Sequence, residues 1–189
     1  MRAGEVTKEK IKRSALKLFV AQGVDGTGVR EIAKVAGITE GAIYRHFKGK
    51  DELVWELFNT HHSDYAAQLD ALQAAQTGIA AKLDAMVRGF CRFYDDDETL
   101  LRFLLLVQHG QLSKVKDGAM TPVTVMYDVI QGGIDAGEIN VPDANEATAW
   151  ILGILLQTAT FKTYDRLTGP MTPRADALVG ACLRVLGTS

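Results

Sequence analysis

Apolar residues recur along this chain every three to four positions, and no stretch alternates apolar and polar over a strand's length between turn signals. Between Thr7 and Gln22, the residues Ile11, Ala15, Leu18 and Phe19 fall on one face of a helix, with Thr7 as its expected cap and Gly23 as its stop. The turn Asp25-Gly26-Thr27-Gly28 follows, and Val29, Ile32, Ala33 and Ala36 line a short second helix. Gly37-Ile38 breaks it. Thr39 is placed to cap a third helix running to about Phe47, with Ile43 and Phe47 turned inward. Helices this short are marginal alone in water, so the three must bury one another. The expected result is a three-helix unit whose last two helices are joined by a glycine-containing turn. That is the helix-turn-helix layout, which offers its third helix to the DNA major groove.

Longer helical patterns follow. One runs from Lys50 to about Gln73, and one carries Leu83, Met86, Val87, Phe90 and Tyr94 up to Asp95-Asp96-Asp97. Thr99 to Gln108 is apolar nearly all round, and Gly110 to Gly118 reads as a loop. Thr121-Pro122 is a cap with proline at the first helical position, opening a helix with Val123, Met126, Tyr127, Ile130 and Ile134 on one face. Gly137 stops it. Asp143 to about Leu167 is the next helix, and Thr172-Pro173 opens the last, striped by Ala175, Leu178, Val179, Cys182, Val185 and Leu186. The pattern predicts an all-α protein of about nine helices: residues 1–52 as a helix-turn-helix DNA-binding domain and residues 53–189 as a second, helical domain.

Charge changes the picture only when it is partitioned. The 189 residues carry a formal net charge of −2, which by itself argues against a strongly basic nucleic-acid binder. Residues 1–52, however, hold eleven basic and seven acidic side chains, a balance of +4, and the remainder holds −6. A basic segment beside an acidic one is a polyanion-binding arrangement. No signal peptide is visible, and the longest apolar run, Ala149 to Leu156, is far short of the roughly 18 residues that span a bilayer. A cytoplasmic protein with no membrane contact is expected.

Catalytic and metal chemistry finds little support. Cys91 and Cys182 lack any CxxC partner and read as small core residues. His61, His62 and Asp64 lack a further ligand at suitable spacing, and neighbouring helical residues point about 100° apart. No P-loop, GxSxG or GxGxxG occurs. The expectation is no enzyme, no cofactor and no metal.

The run from Val29 to Leu53, VREIAKVAGITEGAIYRHFKGKDEL, resembles the DNA-binding signature of the TetR family of transcriptional regulators. The likeness is detailed over residues 7–53. Beyond them it rests on the helix count and the Ala136-Gly-Glu-Ile139 turn. With Ile32, Ala33, Ala36, Ile43 and Phe47 inward, the outward face and tip of the third helix are Glu40, Gly41, Ala42, Tyr44, Arg45 and His46. Arg45 suits a guanine edge, Glu40 a cytosine amine, and the Ala42 methyl a thymine methyl. Tyr44 and His46 resemble positions the family uses on phosphate or sugar. Lys50, at the start of a helix, suits a phosphate, and Arg30 and Lys8 are further backbone candidates. Thr39 belongs to the same set. Gly28 stands where the family often has Ser or Thr, which leaves Thr27 to supply that cap.

The resemblance also implies a homodimer through the last two helices, reading a near-palindromic operator on double-stranded DNA as a repressor that a small-molecule effector releases. Ala149 to Leu156 supports the pairing independently, being apolar round its whole circumference with Gly153 open to close approach. Candidate effector-lining residues are Met86, Phe90, Phe93, Phe103, Gln108, Tyr127, Trp150 and Gln157, a set suited to a lipophilic or aromatic molecule. The alternative is a DNA-binding interaction protein of the same fold that regulates a protein partner.

Overall fold

Thr, Asp, Gly and Pro residues set most of the helix boundaries. The protein is described here from a computed structural model covering residues 3–188. Among the described residues it has nine α-helices and no strand: α1 (Ala3–Gln22), α2 (Val29–Ala36), α3 (Glu40–Tyr44), α4 (Lys50–Ala74), α5 (Ile79–Asp96), α6 (Glu98–Gln111), α7 (Pro122–Asp135), α8 (Ala144–Thr163) and α9 (Ala175–Val185). The all-α expectation holds. Thr121 caps α7 through a reciprocal box with Thr124, with Pro122 at the first helical position, and Asp143 caps α8 by accepting from the Glu146 amide at 2.9 Å.

Four boundaries differ from expectation. α1 begins upstream of Thr7, which is therefore helical rather than a cap; Glu5 sits in the first turn, where a negative charge meets the positive helix end. α3 stops at Tyr44 rather than Phe47, because the His46 and Phe47 amides both turn back to the Ile43 carbonyl at 2.9 Å. α6 continues through Gly110 to Gln111, and a 3-10 turn, Leu112–Lys114, takes up part of the expected loop. α8 ends four residues early: Asp165 adopts φ 54°, and the Arg166 amide closes onto the Phe161 carbonyl. No glycine announces that stop.

The chain forms two compact units. One comprises the residues up to His61 together with Thr99–Val115, the other His62–Glu98 together with the residues from Lys116 on. In the first, Ile11, Ala15, Phe19, Ile32, Ile43, Phe47, Leu57 and Phe58 are buried. α6 adds Phe103, whose ring stacks on Phe19 at 5.8 Å.

In the second unit, the core is built from Leu83, Met86, Phe90 and Tyr94 of α5, Met126 and Ile130 of α7, Ile151 and Leu155 of α8, and Leu178 and Cys182 of α9. The inward face of α7 is Val125, Met126, Val129 and Ile130, so Val123 stands outside it, 46% exposed, and Tyr127 and Ile134 are only half-buried. Val185 likewise turns out of the α9 stripe, while Leu186 is fully buried.

Two polar fasteners hold the second unit. Gly137 takes φ 70°, which brings the Glu138 carboxylate to 2.6 Å from the Ile79 amide at the uncapped start of α5. A Cβ on Gly133 would lie 3.2 Å from Ile79, so glycine there lets α7 and α5 approach. This gives the Ala136–Ile139 turn a structural reason. At the other end of α5, Asp95 accepts from the Met171 amide (2.7 Å), the Thr172 amide (2.8 Å) and the Thr172 hydroxyl (2.6 Å). Among the described residues, no helix is long and apolar enough to cross a membrane.

Candidate nucleic-acid interface

The first unit presents α2 and α3 across a three-residue turn. Gly37, at φ 66°, ends α2 with its amide on the Ala33 and Lys34 carbonyls, and this left-handed position is what a glycine supplies. Ile38 folds back with its amide on the Ala33 carbonyl at 3.0 Å. Thr39 then caps α3, its hydroxyl accepting from the Ala42 amide at 3.3 Å. Ile43 and Phe47, each 1% exposed, anchor the segment from below.

Glu40, Gly41, Tyr44 and Arg45 are exposed, and nothing lies within 4 Å of where a Gly41 Cβ would be. Arg30 stands beside them, 91% exposed at its side chain, with its Nε 3.8 Å from the Glu40 carboxylate. A pair this open is weakly held and free to rearrange against a base edge or phosphate.

Two expected contacts are corrected. Ala42 is 6% exposed: in a five-residue helix it turns toward the interior with Ile43, and its methyl is not offered outward. Thr27 is 1% exposed, its hydroxyl donating to the Gly23 carbonyl at 2.7 Å. It ties the α1–α2 turn together, and α2 starts at Gly28 with no side-chain cap.

Three more residues carry local duties. Lys50 is half-buried, its ammonium donating to the Val24 carbonyl at 2.7 Å. His46 is half-buried beside Gly4, with its ring 6.5 Å from that of Phe47. Lys8 pairs with Glu56 at 2.7 Å and lies 5.4 Å from the centre of the Phe47 ring.

Glu56, which sequence reasoning did not single out, also meets Lys12 at 3.3 Å. Burial would raise its carboxyl, but the hydrogen bonds from Lys8 and Lys12 outweigh burial and hold it below its ordinary value. Lys12 is raised for the mirror-image reason, its bonds to Glu9 and Glu56 overcoming partial burial. A Lys8–Lys12 spacing of four on α1 was the one available sign; nothing in the sequence pairs it with residue 56.

Within each unit the effector candidates take different places. Met86 and Phe90 are buried in the core of the second unit and Phe103 in that of the first. Phe93 stacks on Tyr65 at 4.4 Å along an α4–α5 groove that includes Gln68 and Arg92. Tyr127 lines a groove between α7 and α8. Trp150 and Gln157, expected in a pocket, instead face outward along an apolar α8–α9 groove with Gly153, Ile154, Phe161 and Val185. Gln108 is half-buried on α6. The helix pattern gave each residue an inward or outward phase, but it could not say which helices share a lining.

A glycine-stopped α2, a Thr-capped α3 and an exposed Glu40/Tyr44/Arg45 face define the class: a helix-turn-helix protein. Comparison with known proteins places it more narrowly. The profile of the family described as bacterial regulatory proteins, tetR family, matches residues 11–57, and over this segment the chain is similar to the TetR family. Relatives include the transcriptional regulator AcrR of Shigella flexneri, 44% identical over 68 residues, or 34% of this chain and 32% of AcrR. The regulator SrpR of Pseudomonas putida is 35% identical over 86 residues, or 43% of this chain and 40% of SrpR. The chain thus spans about a third to two fifths of these relatives' lengths.

Solved structures share the fold along nearly the whole chain. The fatty acid degradation regulator FadR of Bacillus halodurans superposes with a TM-score of 0.81 at 18% identity, covering 94% of each chain. FadR of Bacillus subtilis, solved with stearoyl-CoA, superposes with a TM-score of 0.74 at 20% identity, covering 96% of this chain and 99% of its own.

Proposed function

We propose that this protein is a homodimeric transcriptional repressor that binds a near-palindromic operator and is released by a small lipophilic or aromatic effector. The observation that carries the reading is the exposed face of Glu40, Tyr44 and Arg45 on a helix fixed by the Thr39 cap and by Ile43 and Phe47 beneath. Arg30 adds a cation beside it. Arg45 reads a guanine edge, Glu40 a cytosine amine, and Tyr44 and Arg30 hold the backbone. Division of the chain into a DNA-binding segment, residues 1–52, and a sensing and dimerising remainder is part of the same proposal, as is a cytoplasmic location.

The α8–α9 groove supports the dimer. Trp150 and Phe161 are 41% and 46% exposed, and nothing lies within 4 Å of a Cβ built on Gly153. An apolar face of this kind on a soluble fold marks a protein interface, and a two-fold axis there pairs two recognition helices about one turn of DNA apart. Allostery is then a coupling free energy: an effector that prefers a dimer unfit for the operator weakens DNA binding, and DNA weakens the effector equally.

The test is titration of labelled upstream DNA by anisotropy at low and moderate salt, with and without stearoyl-CoA and a panel of aromatic compounds. Saturable, sequence-dependent binding that one compound reverses supports the proposal. Failure to bind any near-palindrome at low salt overturns it.

A further inference from the structure

Four charged side chains on α1 and α4 of the first unit share protons and partners unequally. Glu56 accepts from Lys8 at 2.7 Å and from Lys12 at 3.3 Å, and Lys12 also meets Glu9 at 3.1 Å. The two lysines differ in access: the Lys8 side chain is 36% exposed and that of Lys12 only 14%. Lys8 holds one carboxylate and reaches over the ring of Phe47, three residues past the end of α3. Lys12 holds two and is the more enclosed.

We propose that Lys8 is a transferable cation, held by Glu56 in the free protein and given to a DNA phosphate in the complex, while Lys12 stays as the counter-ion of Glu56. The inference rests on the reading of this unit as a DNA binder and adds Glu56 as the residue that tunes its affinity. The Lys8 end of the pair is 36% exposed and can leave while Lys12 still holds Glu56, and a duplex phosphate brings release of condensed counterions. Loss of both lysines would strand a partly desolvated carboxylate, which is expensive; Lys12 removes that obstacle. Glu56 therefore competes with DNA for Lys8.

The experiment measures affinity against salt concentration for an upstream near-palindrome and an unrelated duplex, using the full-length wild type, Lys8→Gln, Glu56→Gln and the double variant. Lys8→Gln is expected to weaken both duplexes alike and to flatten the log–log salt slope by about 0.9 for each protomer bound. Glu56→Gln is expected to tighten both, by up to about fivefold, and that gain should vanish in the Lys8→Gln background. An unchanged slope for Lys8→Gln overturns the proposal, since Lys8 would then stay on Glu56.

A Glu56→Gln gain that persists without Lys8 also overturns it, by showing plain charge repulsion. So does weaker binding by a folded Glu56→Gln, which would make Glu56 a brace. If Glu56→Gln fails to fold, the Lys8→Gln slope decides alone. Wild-type protein that binds neither duplex overturns the DNA-binding reading itself, a result distinct from each of these.

Discussion

Replacing Asp95 by Ala removes an acceptor that serves three donors 76 and 77 positions away in sequence: the Met171 amide, the Thr172 amide and the Thr172 hydroxyl, at 2.6–2.8 Å. Hydrogen bonds to a charged group contribute about 1.5–3 kcal/mol each when enclosed. Asp95 is exposed, so water competes, and the three together resemble one good helix cap, about 1–2 kcal/mol. For a chain of this length, 1 kcal/mol moves Tm by about 2–4 °C. Asp95→Ala should therefore lower Tm by roughly 2–8 °C at neutral pH, with Asp95→Asn, which keeps one acceptor oxygen, in between.

The pH dependence follows from the lowered carboxyl. Burial pushes it up, but the bonds from Thr172 and Met171 prevail and hold it below 3.8. A carboxyl lowered on folding gives stability that is present above its ordinary value and lost as pH falls through its folded one. The gap between wild type and Asp95→Ala should be constant from about pH 7 to 5, shrink as pH falls through the ordinary carboxylate range, and close once pH is below the lowered value of the folded carboxyl. Circular-dichroism melts across that range measure it. Equal Tm values at pH 7, or a gap that ignores pH, would refute the account of this fastener.

Three further outcomes are expected. Arg45→Ala should relax discrimination at one base-pair position by about 1–3 kcal/mol and leave non-specific affinity nearly intact, measured on a set of singly substituted operators; uniform weakening would make Arg45 a phosphate contact. Phe103→Ala should cost about 3–5 kcal/mol in urea unfolding, since the ring is fully buried against Phe19; a loss under 1 kcal/mol would mean that the α6 contact is dispensable. Trp150→Glu, at an already exposed position, should keep the far-ultraviolet spectrum and shift sedimentation from dimer to monomer, and an unchanged dimer would move the interface elsewhere.

Local periodicity carried the existence of every helix and the helix-turn-helix layout, because Gly37, Thr39, Thr121, Pro122 and Asp143 each act on their own few residues. It failed where the deciding contact was local but not glycine-marked, as at Asp165, and at Ala42, which lies on the buried side with Ile43 rather than on the outward face.

Long-range partners were invisible. The α1 and α4 positions of Lys8 and Glu56 lie 48 residues apart, and α6 joins the first unit across the whole of α5. The exposed α3 face of Glu40, Tyr44 and Arg45 was legible because its phase is set within one short segment. A pocket lining is drawn from several helices whose mutual phase no single helix records.

Selection of bound duplexes from a random DNA library tests the central claim most directly. The account predicts enrichment of a near-palindrome whose half-sites are centred about one helical turn, roughly 10 base pairs, apart or a multiple of it, and loss of enrichment with Trp150→Glu. A library that stays unenriched, or that yields a single asymmetric site untouched by Trp150→Glu, would contradict a two-fold reader built on α3 and α8.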